Sequence, residues 1–200
     1  NYQQPSGLND ASFVDCSFSV ESVTTAGYDG AAGACLYHNC VFNENVSLYT
    51  NGVVSNSILN GANLYVADLT FVNCLIRNLY LIWRSGNVEA SFVRCSIDGM
   101  TVGFTNKTLL IFSDCALQNI DVDDAANRTI LMNRCATNAA LLTTNYAPDN
   151  TDVGAGLFTD SALLDFTPTA ELASVIKLDM VPGAVQPVAS SQTFHPLGGL

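Results

Sequence analysis

One six-residue phrase recurs seven times, and its period constrains the fold more than any other feature of the chain. It reads FVDCSF (Phe13–Phe18), YHNCVF (Tyr37–Phe42), VSNSIL (Val54–Leu59), FVNCLI (Phe71–Ile76), FVRCSI (Phe92–Ile97), FSDCAL (Phe112–Leu117) and MNRCAT (Met132–Thr137), with Ser57 standing once for the cysteine. The central positions 16, 40, 57, 74, 95, 115 and 135 are separated by 24, 17, 17, 21, 20 and 20 residues. A period of about 20 residues excludes the helical repeat classes, which run at roughly 33 to 47.

Within each phrase the thiol and the apolar residue two positions later alternate with other residues, which is the spacing of one face of a strand. Asn or Asp stands immediately before the central position at Asp15, Asn39, Asn56, Asn73 and Asp114. These side chains bond to their own backbone and tolerate a sharp bend, so each repeat turns a corner there. Further short strands are expected at Leu64–Ala67, Leu79–Ile82, Thr101–Phe104, Thr108–Ile111, Ile120–Val122 and Thr129–Leu131. Short strands, polar corners and inward apolar columns predict an all-β solenoid in which each coil pairs in parallel with the next.

These columns resemble the pectate-lyase-like superfamily of right-handed parallel β-helices, in which an F-x-N-C-x-[F/I/L] phrase per coil is a familiar variant. The resemblance spans about Phe13–Thr137 and implies a single-stranded right-handed parallel β-helix of about seven short coils. It divides the chain into a lead-in (1–12), the β-helix (13–138), a closing segment (139–187) and a C-terminal arm (188–200). The superfamily hosts polysaccharide lyases and hydrolases, bacterial surface adhesins, phage tailspikes and virion decorations, so it speaks to fold more than to function.

Charge narrows the partners. Asp and Glu number 18 against 7 Lys and Arg, a net charge of -11, which disfavours a nucleic-acid binder that must neutralise phosphates. The longest apolar stretches, such as Leu79–Trp83 and Leu109–Phe112, are strand-sized, so no membrane insertion is expected. Stacked coils would set successive thiols about 4.8 Å apart in a straight line, unsuited to a tetrahedral metal site and too far for unstrained disulfides. Buried free thiols are the expected state, with one bridge at Cys35 as the alternative.

Candidate chemistry is sparse. Asp121, Asp123 and Asp124 form an acidic cluster without an acidic partner in adjacent coils, and Asp98 shares a column with Arg77, predicting an ion pair across coils. Arg94, Asp114 and Arg134 alternate in sign on successive coils, which favours register. His38 and His195 lie far apart in the chain and support no catalytic arrangement. No catalytic, metal or cofactor residues are assigned, and the chain is read as a non-enzymatic protein; a polysaccharide lyase or hydrolase is the enzymatic alternative.

The column after the thiol (Ser17, Val41, Ile58, Leu75, Ser96, Ala116, Ala136) points outward by strand parity yet carries no charge. An outward apolar strip asks for a cover. Val41, Ile58 and Leu75, with Tyr80 and Trp83 on the neighbouring strand, are the candidate interface. Phe194, His195 and Leu197 give the arm a short apolar face. The resemblance implies a homotrimer on a phage virion surface, a capsid decoration (cement) or spike contacting capsid or tail proteins. A host-surface glycan ligand, or a secreted or bacterial-surface adhesin module, is the alternative.

Overall fold

The computed structural model describes residues 12–19, 34–44, 46–49, 51–65, 68–82, 87–103, 107–122, 128–137, 150–153 and 156–170. Its strands run, in chain order, β1 (Ser12–Val14), β2 (Ser17–Phe18), β3 (Ala34–His38), β4 (Val41–Phe42), β5 (Ser47–Tyr49), β6 (Asn51–Ser55), β7 (Ile58–Asn60), β8 (Asn63–Tyr65), β9 (Asp68–Val72) and β10 (Leu75–Ile82). They continue as β11 (Asn87–Val93), β12 (Ser96–Gly103), β13 (Lys107–Ser113), β14 (Ala116–Val122), β15 (Arg128–Asn133), β16 (Ala136–Thr137), β17 (Thr151–Asp152), β18 (Phe158–Asp160) and β19 (Asp165–Pro168). A first parallel sheet stacks β1, β3, β6, β9, β11, β13 and β15; a second stacks β2, β4, β7, β10, β12, β14, β16 and β17, with β5 and β8 beside it. The chain is a parallel β-solenoid.

Two corners shape each full turn. At the first, Asp15, Asn39, Asn56, Asn73, Arg94, Asp114 and Arg134 all sit in the left-handed region, with φ between 50° and 56°. Asn and Asp adopt that conformation with least cost, whereas for Arg94 and Arg134 it costs roughly 1 kcal/mol that stacking must offset. The second corner comes four residues after the thiol position, at Gly61, Asn78, Gly99 and Asn119, again with positive φ. At Gly99 a Cβ would lie 2.6 Å from the Asn78 side-chain oxygen, so the close stacking itself calls for glycine. Although seven strands stack in the first sheet, among the described residues positive φ marks the second corner on these four rungs. Full turns therefore number about four, fewer than the seven expected from the repeats, because the outer rungs carry two-residue strands on their second side.

The interior is filled by ladders of like residues. Phe71, Phe92 and Phe112 stack ring on ring at 4.7 and 4.9 Å, Phe13 on Tyr37 at 5.1 Å, and Phe18 on Phe42 at 4.9 Å. These distances match the strand spacing, so coil pairing and aromatic stacking reinforce each other. Phe71, Cys74, Ile76, Phe92, Cys95, Ile97, Phe112, Cys115 and Leu117 are all 0% exposed. Burial contributes about 1.5 to 3 kcal/mol for each large side chain.

All seven cysteines are free, six buried and Cys16 half-buried, and Cys35 forms no bridge. The thiol column does more than fill space. Each Sγ donates to the carbonyl two residues back, across the first corner: Cys16 to Val14, Cys40 to His38, Cys74 to Val72, Cys95 to Val93, Cys115 to Ser113 and Cys135 to Asn133, at 3.3 to 3.5 Å. Ser57 Oγ makes the same bond to Ser55 at 2.7 Å. The left-handed residue breaks the local ladder, and a small donor at the next position satisfies the carbonyl.

The column has an eighth member that the repeat phrase does not reveal. Ser57 Oγ accepts the Cys40 N–H at 3.0 Å and Cys115 Sγ accepts that of Cys95 at 3.4 Å. At the last coil Asn150 Oδ1 takes this place, accepting the Cys135 N–H at 2.7 Å while its Nδ2 donates to Met132 O at 3.2 Å. Asn150 thus caps the ladder just before β17, which pairs with β16.

Candidate functional site

The outward strip of the second sheet holds most of the candidate interface residues that the structure describes. Along it, exposure falls from Ser17, which is exposed, through half-buried Val41 and Ile58 to Leu75 and Ser96, buried at 3% and 4%, and Ala116 and Ala136 at 0% and 1%. The cover over the buried end is the chain's own C-terminal segment. Leu157, Phe158 and Phe166 form a second core cluster with Leu75, Ala116 and Ala136, against which Ile58, Val153 and Leu164 pack.

The covering element is an antiparallel hairpin of β18 and β19 closed through a 3-10 turn at Ser161–Leu163. Asp160 caps the turn by accepting the Leu163 N–H at 3.3 Å, and Leu164 ends it at φ 62°. Its two rings meet edge to face at 4.9 Å. Alanine at positions 116 and 136 leaves room for them, whereas Val41 lies beyond the cluster and Ile58 packs at its margin. Two polar contacts fasten the hairpin to the solenoid: Leu157 N–H donates to Gln118 Oε1 at 2.7 Å, and Ser161 Oγ donates to Asp98 Oδ2.

This corrects the sequence reading of the strip. A second copy was expected over Val41, Ile58 and Leu75, but Leu75 is enclosed by residues of its own chain. Val41 and Ile58 keep partial exposure, and Tyr80 is half-buried with its hydroxyl leaning over Gly103, where a Cβ would approach it to 2.3 Å. Trp83, Phe194, His195 and Leu197 lie outside the described residues, as do Asp123 and Asp124 of the acidic cluster. Asp121 is exposed on β14.

The predicted Arg77–Asp98 pair is replaced by other partners. The two are neighbours in register, but Arg77 Nη1 turns to the preceding coil, 3.1 Å from Asn60 Oδ1 and 3.7 Å from Glu44. Asp98 is held by Asn119 Nδ2 at 2.6 Å and by Ser161. A residue in a stacked column has a neighbour on each side, and sequence spacing cannot choose between them. The Arg134–Asp114 contact of the alternating column does form, at 2.7 Å, and Asp114 Oδ1 has no hydrogen-bond partner.

Corner side chains bond mainly to one another. Asn39 Nδ2 donates to Asp15 at 2.5 Å and Asn73 Nδ2 to Asn56 at 2.7 Å, extending coil-to-coil pairing along the first corner. His38 Nδ1 lies 3.0 Å from Ser55 Oγ. Burial raises the Cys40 and Cys95 thiols above their usual range, and the neighbouring Cys115 thiol together with burial raises Cys135. At these three positions that favours the protonated donor form. Among the described residues no three His, Cys, Asp or Glu side chains are grouped to hold a metal ion.

No family model, no curated protein and no solved structure matches the chain.

Proposed function

We propose that the chain is a non-enzymatic structural module of a phage virion surface, a capsid decoration or, second, a spike. The observation that carries the reading is the use of its polar side chains. Asp15, Asn39, Asn56, Asn73, Arg77, Asp98, Asp114, Asn119 and Arg134 are engaged in bonds from coil to coil or from solenoid to hairpin. Such side chains hold a scaffold in register. The virion setting rests on the resemblance of the repeat to β-helix proteins, and on the small height of the solenoid, about 29 Å for seven stacked strands, which suits a decoration better than a long glycan-cleaving shaft. Mixing the purified chain with purified empty capsids and sedimenting them tests the reading: co-sedimentation at a fixed stoichiometry is expected, and confinement of the protein to tails would reject decoration.

One observation favours a second reading, recognition of a glycan. Asn63, Tyr80, Thr101 and Asp121 follow one another in register on the outer side of the second sheet, a row of one aromatic ring and three hydrogen-bonding groups. Saturable binding of a host polysaccharide, lost in Tyr80→Ala, would support it; release of new reducing ends would replace both readings with an enzymatic one.

A further inference from the structure

The first sheet has an outer face as well, and it is built differently from its surroundings. One column runs in register from Ser12 through Leu36, Val53, Thr70, Ser91 and Ile111 to Leu131. The next runs from Val14 through His38, Ser55, Val72, Val93 and Ser113 to Asn133. Neither column contains Asp, Glu, Lys or Arg, on a chain of net charge -11. Leu36 and Val14 are 43% and 52% exposed, and no described hydrophobic cluster covers this side as the hairpin covers the other.

Charges return at its two edges, Asp68, Glu89, Lys107 and Arg128 along the starts of the strands and Asp15, Arg94, Asp114 and Arg134 along the first corner; on the β11 rung the two edges carry opposite sign. Along one edge Asp68 and Glu89 are direct neighbours on β9 and β11, and both are exposed. Two like charges side by side on parallel strands are unfavourable unless something compensates them. Along the opposite edge, at the first corner, stands exposed Arg94, with no partner among the described residues. Glu89 and Arg94 belong to the same rung but lie five residues apart, about 16 Å along an extended strand, too far to meet within one chain.

We infer that the outer face of the first sheet pairs with the same face of a second copy, about a two-fold axis parallel to the solenoid axis. That operation keeps height and exchanges left with right, so Glu89 of one copy comes opposite Arg94 of the other, and the reverse contact follows by symmetry. A two-fold axis across the solenoid would invert height and keep left and right, and would not bring Glu89 opposite Arg94. The face measures about 29 Å along the stack by 17 Å across, roughly 500 Å² in projection. Side-chain relief and the charged rims bring this toward the roughly 800 Å² per partner of a standard interface. An uncharged surface is also the one through which two strongly acidic chains approach at least electrostatic cost. The inference does not depend on the virion setting.

Sedimentation equilibrium of the full chain alone, without capsids, tests it. The wild type is expected to be dimeric, and Ile111→Glu, an outward change, to be monomeric with an unchanged β spectrum and unreactive thiols. Glu89→Arg and Arg94→Glu are each expected to weaken the dimer about tenfold or more, and the double exchange to restore most of the loss. Restoration is the discriminating result, since the two positions cannot meet within one chain. A monomeric or trimeric wild type, or a dimer indifferent to Ile111→Glu, would overturn the inference. So would a wild-type monomer that dimerises only after removal of residues 171–200, which would make that segment the occupant. Failure of capsid binding with an intact dimer would reject only the virion reading.

Discussion

The two outer faces of the solenoid meet the same difficulty in different ways. On the second sheet an uncharged strip is closed over Leu75, Ala116 and Ala136 by Phe158 and Phe166, and the strip residues shrink to alanine where the rings sit. On the first sheet the uncharged columns keep Leu36, Val53, Ile111 and Leu131 at partial or full exposure, with charge confined to the edges. A strip carrying small residues has its cover built in; one carrying large residues and rimmed by unpaired charges has the features of a surface for a second molecule.

The largest expected effect comes from removing the cover. Phe166→Ala, 2% exposed in the second cluster, is expected to cost about 3 to 5 kcal/mol in urea unfolding. Leu36→Ala, on the open face of the same protein, is expected to cost under about 1 kcal/mol when measured at monomeric concentrations. Equal losses at the two sites would erase the distinction between the faces.

Overpacking gives a smaller test of the same contrast. Ala116→Leu inserts bulk beneath the hairpin rings and is expected to cost about 1 to 3 kcal/mol. Ser91→Leu, outward on β11, is expected to leave monomer stability nearly unchanged and to strengthen dimerisation. If Ala116→Leu proves neutral, the hairpin does not seat on the strip.

The smallest effect concerns the thiols beneath both faces. Cys40, Cys95 and Cys135 are raised from the usual 9.0. Their ionisation is therefore harder in the folded chain than in the unfolded one, so the stability they contribute is fully present below pH 9.0 and falls as the pH climbs above it. The urea midpoint is expected to be flat up to about pH 8.5 and to decline beyond pH 9, less steeply in Cys95→Ser, which keeps a donor as Ser57 does. An unchanged slope in that variant would count against the ladder.

Much of the solenoid is legible in the sequence because its physics is local and repeated. The first corner requires a residue that tolerates positive φ, and Asn39, Asn56 and Asn73 announce it; Arg94 and Arg134 are recognisable there only by alignment with the other repeats. The second corner at Gly61, Asn78, Gly99 and Asn119 uses the same residue types four positions after the thiol and could have been found by carrying the alignment further. Asn150 escapes notice because an amide reproduces the donor and acceptor of the column without its residue type or spacing. The hairpin could not be placed on the strip, since the contact joins Leu75 to residues some eighty positions later and nothing periodic links them. For the same reason the sequence points to an uncharged strip but not to what covers it, and the first sheet's face emerges only once its strands are set in register.

The most direct test of the two-face account is hydroxyl-radical footprinting read by mass spectrometry across a concentration series. Leu75, Phe158 and Phe166 are expected to be protected at every concentration, while Leu36, Ile111 and Leu131 are oxidised in the dilute monomer and become protected as the dimer forms. Ready oxidation of Phe158 and Phe166 in the folded protein, or protection of Ile111 that does not change with concentration, would contradict it.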